Sequence, residues 1–564
     1  MVFCYSSKGL NRSTCFLIGS IVFLVLNVTF YFGIDLIVSS IIYSKLTLLQ
    51  SDSELFSKWV RLPIPLGLKV WVFETTNPDE IWTGKKPILR EKGPYVFSLW
   101  REKKILEIKH DTETIKYSEH NVYFFNESQS IGSLEDKIVT LNVPTVAIAE
   151  KLGSIGNNLP LRGLTGISLE LIGNGLFQAH KEELMANMTI DDLLFKGQKV
   201  KILQTLETIW TPLALIGVKF PSTGLKDNTY GLFYGQNSTF AEPLEIIGQG
   251  TKLGKVVSWK NQKKLTCWPG ETCNTIRGTD GAMFSPFIDK SRVHIFIPDL
   301  CRFISFDYDM KIVFRGIAGY RFIISESTFF NKHRYPSNEC FCPTNGFPCN
   351  TDGVTSIGPC RANAPIYLSK PHFLSASRHF LESIEGLQPN ISQHESFIDI
   401  EPTTGTPLRA KVQLQVNVYV RRFPFIKTMS DIRKETLYPL VWFEQSAEIN
   451  DELAQELINK LIKPLSYVKI VKYGSLIVTL TLFIICLIFK CLSTKKIPVI
   501  DTVRRKSQSQ LRQQNLTIGS MNDTIDQRRR QSLEARKLYN LQKRGSSIKI
   551  HEKAKTLKPF ILQR

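Results

Sequence analysis

Six of the eleven cysteines in this 564-residue chain fall between residues 273 and 360, and thiols at this density form disulfides or hold a metal ion. They are Cys273, Cys301, Cys340, Cys342, Cys349 and Cys360. In an extended segment, Cys340 and Cys342 would point to the same face with Cβ atoms too far apart to bond. The spacing therefore predicts that each bonds to a different, distant cysteine. Six cysteines allow 15 pairings, and the spacing does not choose among them.

The choice between zinc and disulfides depends on the compartment, because Cys-x-Cys with two further thiols can also hold zinc where thiols stay reduced. Seven cysteines lie between the two longest apolar runs, together with four Asn-x-Ser/Thr sequons. The sequons are at Asn126, Asn187, Asn237 and Asn390. One sequon is weak evidence, since others occur at Asn515 and Asn522. Together the cysteines and sequons favour an oxidising exofacial or luminal compartment, with disulfides, four glycosylation sites and no metal site.

The two apolar runs, 16–34 and 473–489, are nineteen and seventeen residues long and carry no charge. Helices of this length cross, or nearly cross, a hydrocarbon core of about 30 Å. The first could be a cleaved signal peptide, but it is longer than the usual apolar region and no clear cleavage site follows it. We expect two retained spans, a short cytosolic N-terminal tail (1–15) and a large ectodomain (35–472). Lys8, Arg12 and Lys490 favour cytosolic termini.

The C-terminal tail, 490–564, holds 19 of the Lys and Arg residues but only 5 of the Asp and Glu residues of a chain whose net charge is +20. Basic charge in a Gln- and Ser-rich tail indicates disorder and a membrane surface as partner, not nucleic acid. Two Arg-Arg-x-Ser motifs end at Ser507 and Ser532 and could be phosphorylated. The alternative is a solvated tail with no fixed partner.

Four cysteines lie close to the predicted spans: Cys4, Cys15, Cys486 and Cys491. Juxtamembrane cytosolic cysteines can be S-acylated, so these are candidate acylation sites. The alternative is that they are small apolar residues in packed positions.

Between the spans, short alternating runs predict an antiparallel β domain with a helical insertion. The clearest strand is 411–420, where valines and a leucine alternate with polar residues and predict one buried and one polar face. Helical patterns occur at 36–58, 447–463 and 167–209, the last with Thr189 as a predicted N-cap. The fold class is therefore α+β, with two transmembrane helices flanking a large ectodomain.

A series of motifs in order resembles the class B scavenger receptor family. They include Asn77-Pro78, Glu91-Lys92-Gly93-Pro94-Tyr95, Gly231-Leu232-Phe233-Tyr234, CNTIRGTDGAMFSPF from Cys273, PHFLSAS from Pro371, DIEPTTG from Asp399 and YPLVWFE from Tyr438. The resemblance implies a β-barrel-like ectodomain with an internal apolar tunnel, topped by an apical helical bundle at 167–209. It pairs Cys273 with Cys340, Cys301 with Cys360, and Cys342 with Cys349. Cys267 has no place in that pattern and would be a buried thiol or an intermolecular partner.

In the family, the apex binds ligands, and a lysine there assists the binding of acidic lipid head groups. The resemblance makes Lys181 the nearest match to that lysine. The alternative is that Lys181 is an ordinary solvated surface lysine. His180 beside it could respond to lysosomal pH. The leading hypothesis is a receptor that binds lipids, fatty acids or lipoproteins at its apex and transfers lipid through the tunnel to the plasma membrane. The alternatives are a lysosomal docking receptor for a protein partner and a two-span ligand-gated channel, with homo-oligomerisation left open. Catalytic and cofactor motifs are absent from the sequence, so we expect no enzyme and no cofactor.

Overall fold

An antiparallel sheet of fourteen strands forms the centre of the protein. The computed structural model describes residues 12–81, 84–158, 174–215, 222–342, 347–423, 426–430 and 432–542. Their strands are β1 (Leu66–Thr75), β2 (Leu89–Lys109), β3 (Thr114–Phe125), β4 (Lys137–Leu141), β5 (Met185–Thr189), β6 (Gln198–Lys199), β7 (Thr229–Tyr230), β8 (Thr239–Phe240), β9 (Leu244–Ile247), β10 (Val256–Trp259), β11 (Val293–Ile297), β12 (Arg302–Phe314), β13 (Ile317–Ile324), β14 (Thr355–Ser356), β15 (Ile366–Ser369), β16 (Phe397–Glu401), β17 (Thr406–Val420) and β18 (Thr436–Glu448).

The order of the main strands is β10-β9-β3-β2-β1-β18-β17-β16-β13-β12-β11. One short segment bridges the two edges. The carbonyl of Gly278 accepts from the amide of Val256 in β10 (2.9 Å), and the amide of Thr279 donates to His294 in β11 (3.0 Å). A Cβ on Gly278 would lie 2.4 Å from the His294 carbonyl oxygen, so only glycine allows this approach. The sheet is thus nearly closed, as the resemblance implies for a β-barrel-like ectodomain.

The helices are α1 (Arg12–Lys45), α2 (Glu54–Val60), α3 (Pro78–Ile81), α4 (Val143–Asn158), α5 (174–179), α6 (Ile190–Leu194), α7 (Lys201–Leu215), α8 (Arg378–Glu382), α9 (Ile391–His394), α10 (Lys427–Ser430), α11 (Asp451–Leu457) and α12 (Lys463–Gln542). A π-helical turn, Ile458–Ile462, joins the last two. The described residues divide into two compact units, 34–468 and the terminal segments on either side of it.

Two helical segments, Thr14–Lys45 and Asp451–Leu492, are long and apolar enough to cross a membrane, and they contain the two predicted spans. In the terminal unit, Ser475 donates to the side chain of Asn27 at 3.5 Å, and the rings of Tyr31 and Tyr473 meet edge to face at 6.0 Å. A polar side chain inside an apolar helix is commonly placed against a neighbouring helix. Asn27 therefore marks a contact between the two apolar helices.

The helical insertion differs from its prediction in its details. Within 167–209, residues 167–173 lie outside the described part of the chain, 174–179 are helical, and Met185–Thr189 form a strand that pairs with β4. The side chain of Thr189 accepts from the Asp192 amide, so its role as N-cap is confirmed. Helix α4 is missing from the prediction because its apolar residues are interrupted by Gly153 and Gly156.

The prediction of disorder after residue 490 also differs from the structure, in which α12 continues to Gln542. This segment is rich in Arg, Gln, Lys and Leu, which are good helix formers. Its described side chains, 504–514 and 526–536, are all exposed. The helix there is therefore supported by local propensity rather than by a packed face.

Two clusters of buried side chains fill most of the large unit. The first, which we call the cavity core, includes Val70, Phe73, Leu141, Leu184 and Tyr438. The second, which we call the disulfide core, includes Trp59, Tyr117, Cys273, Cys301 and Phe341. Strands β1, β2 and β18 contribute to the cavity core, whereas β3, β9 and β10 contribute to the disulfide core.

Candidate functional site

The cysteine block contains three disulfides. Cys273 bonds to Cys340, Cys301 to Cys360, and Cys342 to Cys349, with Cα atoms 6.0, 5.8 and 5.4 Å apart. These are the pairs that the family resemblance implies, and each Cα distance is ordinary for a disulfide. Cys267 is half-buried and in no disulfide, and burial raises the pKa of its thiol. A raised pKa keeps that thiol protonated and unreactive.

A cavity of about 60 Å³ lies at the edge of the cavity core, where the barrel strands β1, β17 and β18 meet the β4–β5 pair. Its walls come from chain segments far apart in sequence. Seven of the lining residues are buried and form a largely apolar floor with one phenol and one serine hydroxyl: Pro87, Leu141, Leu184, Ser383, Val420, Ile432 and Tyr438. The hydroxyl of Tyr438 is hydrogen-bonded to the hydroxyl of Thr75, so this hydroxyl already has a protein partner.

Asn77 fixes the loop that forms one side of the cavity mouth. Its side-chain oxygen accepts from the amide of Ile88 at 2.8 Å, and its side-chain nitrogen donates to the carbonyl of Lys86 at 3.0 Å. An Asn side chain can close a turn in this way by replacing backbone partners. The Asn77-Pro78 motif found in the sequence therefore holds Lys86 at the cavity mouth.

Four cations surround the mouth: Lys85, Lys86, Arg433 and Lys434. Lys85 forms an ion pair with Glu80 at 2.7 Å. Lys86, Arg433 and Lys434 are exposed and make no ion pair within the part of the chain that the structure describes. The Arg433 side chain lies across Gly84, where an added Cβ would come within 2.6 Å of Cδ. An apolar cavity with uncompensated positive charge at its mouth suits an amphiphile with an anionic head group.

The cavity volume of about 60 Å³ is small compared with the 300–1,000 Å³ usual for drug-sized ligands. A pocket of this size takes the end of an acyl chain rather than a whole lipid. Each methylene group moved from water into it contributes about 0.8 kcal/mol.

Lys181 does not line this cavity. It is exposed and follows α5 with φ +48°, and its amide donates to the carbonyl of Gln178. His180 is half-buried, and its Nε2 is 2.8 Å from the hydroxyl of Thr205 in α7. The two predicted apical residues are therefore adjacent to α5 and α7, whereas the basic cavity lies at the β4–β5 junction.

The four predicted glycosylation sites are accessible. Asn187, Asn237 and Asn390 are exposed, and Asn126 is half-buried. Among the predicted acylation sites, Cys4 lies outside the described residues, Cys15 lies in α1, and Cys486 and Cys491 lie in α12. Attachment of sugars and acyl groups stays a prediction.

A second polar group joins the buried side chains of His372, His394 and Trp442 to the carboxylate of Glu91, which lies exposed in β2. The Nε2 of His372 donates to Glu91 at 2.6 Å, and the indole of Trp442 donates to the same carboxylate oxygen at 2.7 Å. The rings of His372 and His394 stack at 4.6 Å. Burial raises the pKa of Glu91, but the two hydrogen bonds outweigh it and hold that pKa below its ordinary value. Burial, with the adjacent His372, lowers the pKa of His394 to about 4.

Backbone amides fix the orientation of both histidine rings. Nδ1 of His372 accepts from the amide of Gln388 at 3.2 Å, and Nδ1 of His394 accepts from the amide of Asn390 at 3.1 Å. A backbone amide only donates, so neither Nδ1 carries a proton. Protonating Nδ1 of His394 would break its bond to the Asn390 amide and place positive charge against the stacked ring of His372. The sequence shows His372 within a family motif but gives no sign of its partners.

The cavity residues were missed because they come from distant segments. Lys86, Ile432 and Arg433 belong to no common periodic pattern, and the motifs found near them, Asn77-Pro78 and YPLVWFE from Tyr438, do not show that these residues meet. Basic pairs such as Lys85-Lys86 and Arg433-Lys434 are common on surfaces. Nothing in the sequence joins them.

Comparison with known proteins shows a match to the CD36 family over residues 17–490. Scavenger receptor class B member 1 of Mus musculus is 31% identical over 72% of this chain and 75% of its own length. Lysosome membrane protein 2 of Mus musculus is 31% identical over 80% of this chain and 88% of its own length. Sensory neuron membrane protein 2 of Manduca sexta is 30% identical over 86% of this chain and 95% of its own length. This chain is therefore a two-pass membrane protein that belongs to the CD36 family, the class B scavenger receptor family.

Proposed function

We propose that this protein is a receptor that binds acidic lipids at the basic-rimmed cavity and passes single lipids along the barrel interior to the membrane. The observation that supports this most directly is the combination of an apolar floor (Leu141, Leu184, Ile432) with three cations that have no ion-pair partner among the described residues (Lys86, Arg433, Lys434). The process needs no chemical step, because burial of methylene groups holds the chain and charge holds the head group.

The ligand's head group would bind at the cavity mouth rather than at Lys181. A carboxylate or phosphate at the mouth would reach one or two cations from opposite sides, since Lys86 precedes β2 and Arg433 precedes β18. Exposed ion pairs contribute about 0.2–1 kcal/mol each, so the three cations together are expected to strengthen binding about tenfold. Lipoproteins would deliver lipid to this mouth.

The proposed orientation has residues 34–468 outside the cytosol and both termini inside it. Three disulfides and four accessible sequons in the large unit support this orientation, as does the basic segment after α12 leaves its apolar part. The plasma membrane is the proposed location. The lysosomal membrane is the alternative, supported by the likeness to lysosome membrane protein 2.

The test uses the full-length protein in detergent micelles with a photoreactive fatty acid and a photoreactive fatty alcohol of the same chain length. In the triple variant Lys86→Gln, Arg433→Gln, Lys434→Gln, crosslinking of the acid is expected to need about ten times more probe, while that of the alcohol stays unchanged. Lys181→Gln is the matched control and is expected to bind both probes normally. Crosslinked peptides should map to segments 81–87, 141, 184–185 or 432–438.

The two hypotheses predict different outcomes. If Lys181→Gln loses the acid and the triple variant does not, the apical lysine is the head-group site and the cavity proposal is wrong. If neither probe crosslinks to the large unit, a docking receptor for a protein partner replaces the lipid receptor. Transfer is tested separately with Met185→Trp, which should fill the cavity and slow delivery of the acid to acceptor vesicles while the head group still binds.

A further inference from the structure

The outer face of the sheet carries an aromatic patch at β2, β3 and β8, which we call the outer aromatic patch. Trp100 is 39% exposed, and Phe124 and Phe240 are each 55% exposed. Trp100 pairs with Val122, Ser98 with Phe124, and His120 with Phe240 across the strands. Residues 120, 122 and 124 alternate with Tyr123 and Phe125, whose rings pack inward against Phe195 and Phe97. Large exposed aromatic side chains grouped on one face mark a surface that is covered by something.

Phe124 is as exposed as Phe240 but has fewer ring contacts. Phe240 already packs against His120 at 4.9 Å between ring centroids, and the ammonium of Lys104 lies 5.1 Å from its ring. Phe124 makes no ring or cation contact with any residue that the structure describes. Its ring face is therefore available to a ligand.

Two sequons flank Phe124. Asn126 follows it by two residues in extended backbone (φ −107°, ψ 91°), so the two side chains lie on the same face of the strand. On the neighbouring side, the side-chain oxygen of Asn237 accepts from the amide of Tyr123 at 3.0 Å. Both candidate sugar attachment sites therefore border the same exposed ring.

The amide of Asn126 is oriented for modification. Its side-chain oxygen accepts from the hydroxyl of Ser128 at 2.8 Å and from the amide of Gln129 at 3.2 Å. Those bonds fix the oxygen, and Nδ2, the atom to which a sugar is attached, makes no hydrogen bond to a described residue. Ser128 is itself the hydroxyl residue of the sequon.

We propose that the first N-acetylglucosamine of a glycan on Asn126 packs its apolar face on the ring of Phe124. Attachment joins Nδ2 to C1 of the sugar, with loss of one amide proton and departure of the diphosphate of a lipid-linked oligosaccharide donor. The C–H groups on one face of the sugar then meet the electron-rich face of the ring, the arrangement that an aromatic quadrupole favours. The inference rests on the proposed exofacial placement of residues 34–468.

Asn390 provides a matched comparison. It is exposed, its side-chain oxygen likewise accepts from the hydroxyl of the sequon residue Ser392 at 2.8 Å, and the residue two positions before it is Gln388. A glycan on Asn390 therefore has the same hydrogen bond from the sequon hydroxyl, without an aromatic side chain at the corresponding position.

The experiment uses full-length protein from glycosylating cells, with variants Phe124→Thr, Asn126→Gln, Asn390→Gln and the two double variants that combine Phe124→Thr with each Asn change. Site occupancy is measured by mass spectrometry, and enzymatic release of each glycan is timed under native conditions. We expect release from Asn126 to be about tenfold slower than from Asn390, and Phe124→Thr to remove the difference. We also expect Asn126→Gln to lower the thermal midpoint by about 1–3 °C only when Phe124 is present.

Three results would overturn the inference. Equal release rates at Asn126 and Asn390 mean that Phe124 does not shield the sugar, and the patch then belongs to another partner. An empty Asn126 beside an occupied Asn390 rejects the site itself. If all four sequons are empty, the exofacial placement fails and the inference fails with it, whereas lipid crosslinking at the cavity is measured independently.

Discussion

The disulfide core and the cavity core are built from the same sheet, but they are held in different ways. In the disulfide core, Cys273–Cys340 and Cys301–Cys360 each close a long stretch of chain, with sequence separations of 67 and 59. The disulfide that reaches the cavity core, Cys342–Cys349, spans a separation of only 7. The cavity core thus relies on packing and hydrogen bonds for most of its stability.

The two cores also differ in how their charged side chains are paired. The disulfide core has its charges enclosed: Lys103 is buried beneath the rings of Trp59 and Tyr117 and lies 3.9 Å from Glu119. The cavity core instead leaves cations without carboxylate partners at its surface. Sites that bind ligands are drawn from the less stable parts of a protein, because they must open. Under the proposed function, the disulfide core supplies rigidity and the cavity core binds the ligand.

The largest effect is expected from removing a long-loop disulfide. The double variant Cys273→Ser, Cys340→Ser should lose about 4 kcal/mol of unfolding free energy in the loop-entropy model, because the unfolded chain regains the freedom of a long loop. Denaturant unfolding of the purified full-length protein measures it. Loss of less than about 1 kcal/mol would show that packing alone fixes the disulfide core.

Acid should weaken the cavity core next. His394 has an unfolded pKa of 6.5 and a folded pKa of about 4, so the unfolded state binds the extra proton between these values. The contribution of His394 to the unfolding free energy is therefore fully present above pH 6.5. It is lost as the pH falls towards 4, by about 3 kcal/mol in total. Glu91, whose pKa is lowered in the fold, adds a further loss in the same direction below its ordinary pKa of 4.5.

The groups that face His394 are His372, Glu91, Lys411 and the indole of Trp442. Replacing His394 with Phe keeps a ring in the stack and removes the titrating nitrogen, so the slope of unfolding free energy between pH 4.5 and 6.5 should flatten. A variant that keeps the full slope would assign the effect to other histidines, including His294, whose pKa burial also lowers.

The short-loop disulfide should matter less than the long ones. Replacing Cys342 and Cys349 with serine should cost about 2.5 kcal/mol by the same loop-entropy argument, against about 4 kcal/mol for either long loop. Comparison of the three double variants by denaturant unfolding tests the contrast directly. Equal losses at all three would contradict the view that loop length separates the two cores.

The sequence predicted what depends on local pattern or on family motifs. The alternation over 411–420 predicted β17, because a strand repeats every two residues. Its prediction of a polar outer face was wrong: Gln413, Gln415 and Asn417 are at most 1% exposed. Gln413 donates to Glu444 and Asn417 donates to Ser369 in other strands, whereas Gln415 donates to Asn417 in its own strand. The two-residue alternation shows that the two faces of the strand differ in polarity, but it does not show that both faces are buried.

The candidate site could not be predicted from the sequence for a related reason. The Asn77-Pro78 turn could be predicted, and its role in placing Lys86 follows only from the hydrogen bonds to Ile88 and Lys86. The cavity floor joins the ends of β4 and β17 with residues just before β18, and no spacing rule brings them together. The disulfide pattern could be taken from the family because cysteine spacing is a sparse signal, whereas Lys and Ile occur everywhere.

The smallest effect on stability is expected at the cavity mouth, where the substitutions should change ligand binding but not the unfolding free energy. Lys86→Gln, Arg433→Gln and Lys434→Gln each remove an exposed cation with no ion pair in the described structure, so unfolding free energy should change by less than about 0.5 kcal/mol. The same changes should weaken fatty-acid binding, as measured by crosslinking. If these substitutions instead destabilise the fold, the three cations stabilise the loop at the cavity mouth. Their role would then be structural and not the binding of a ligand.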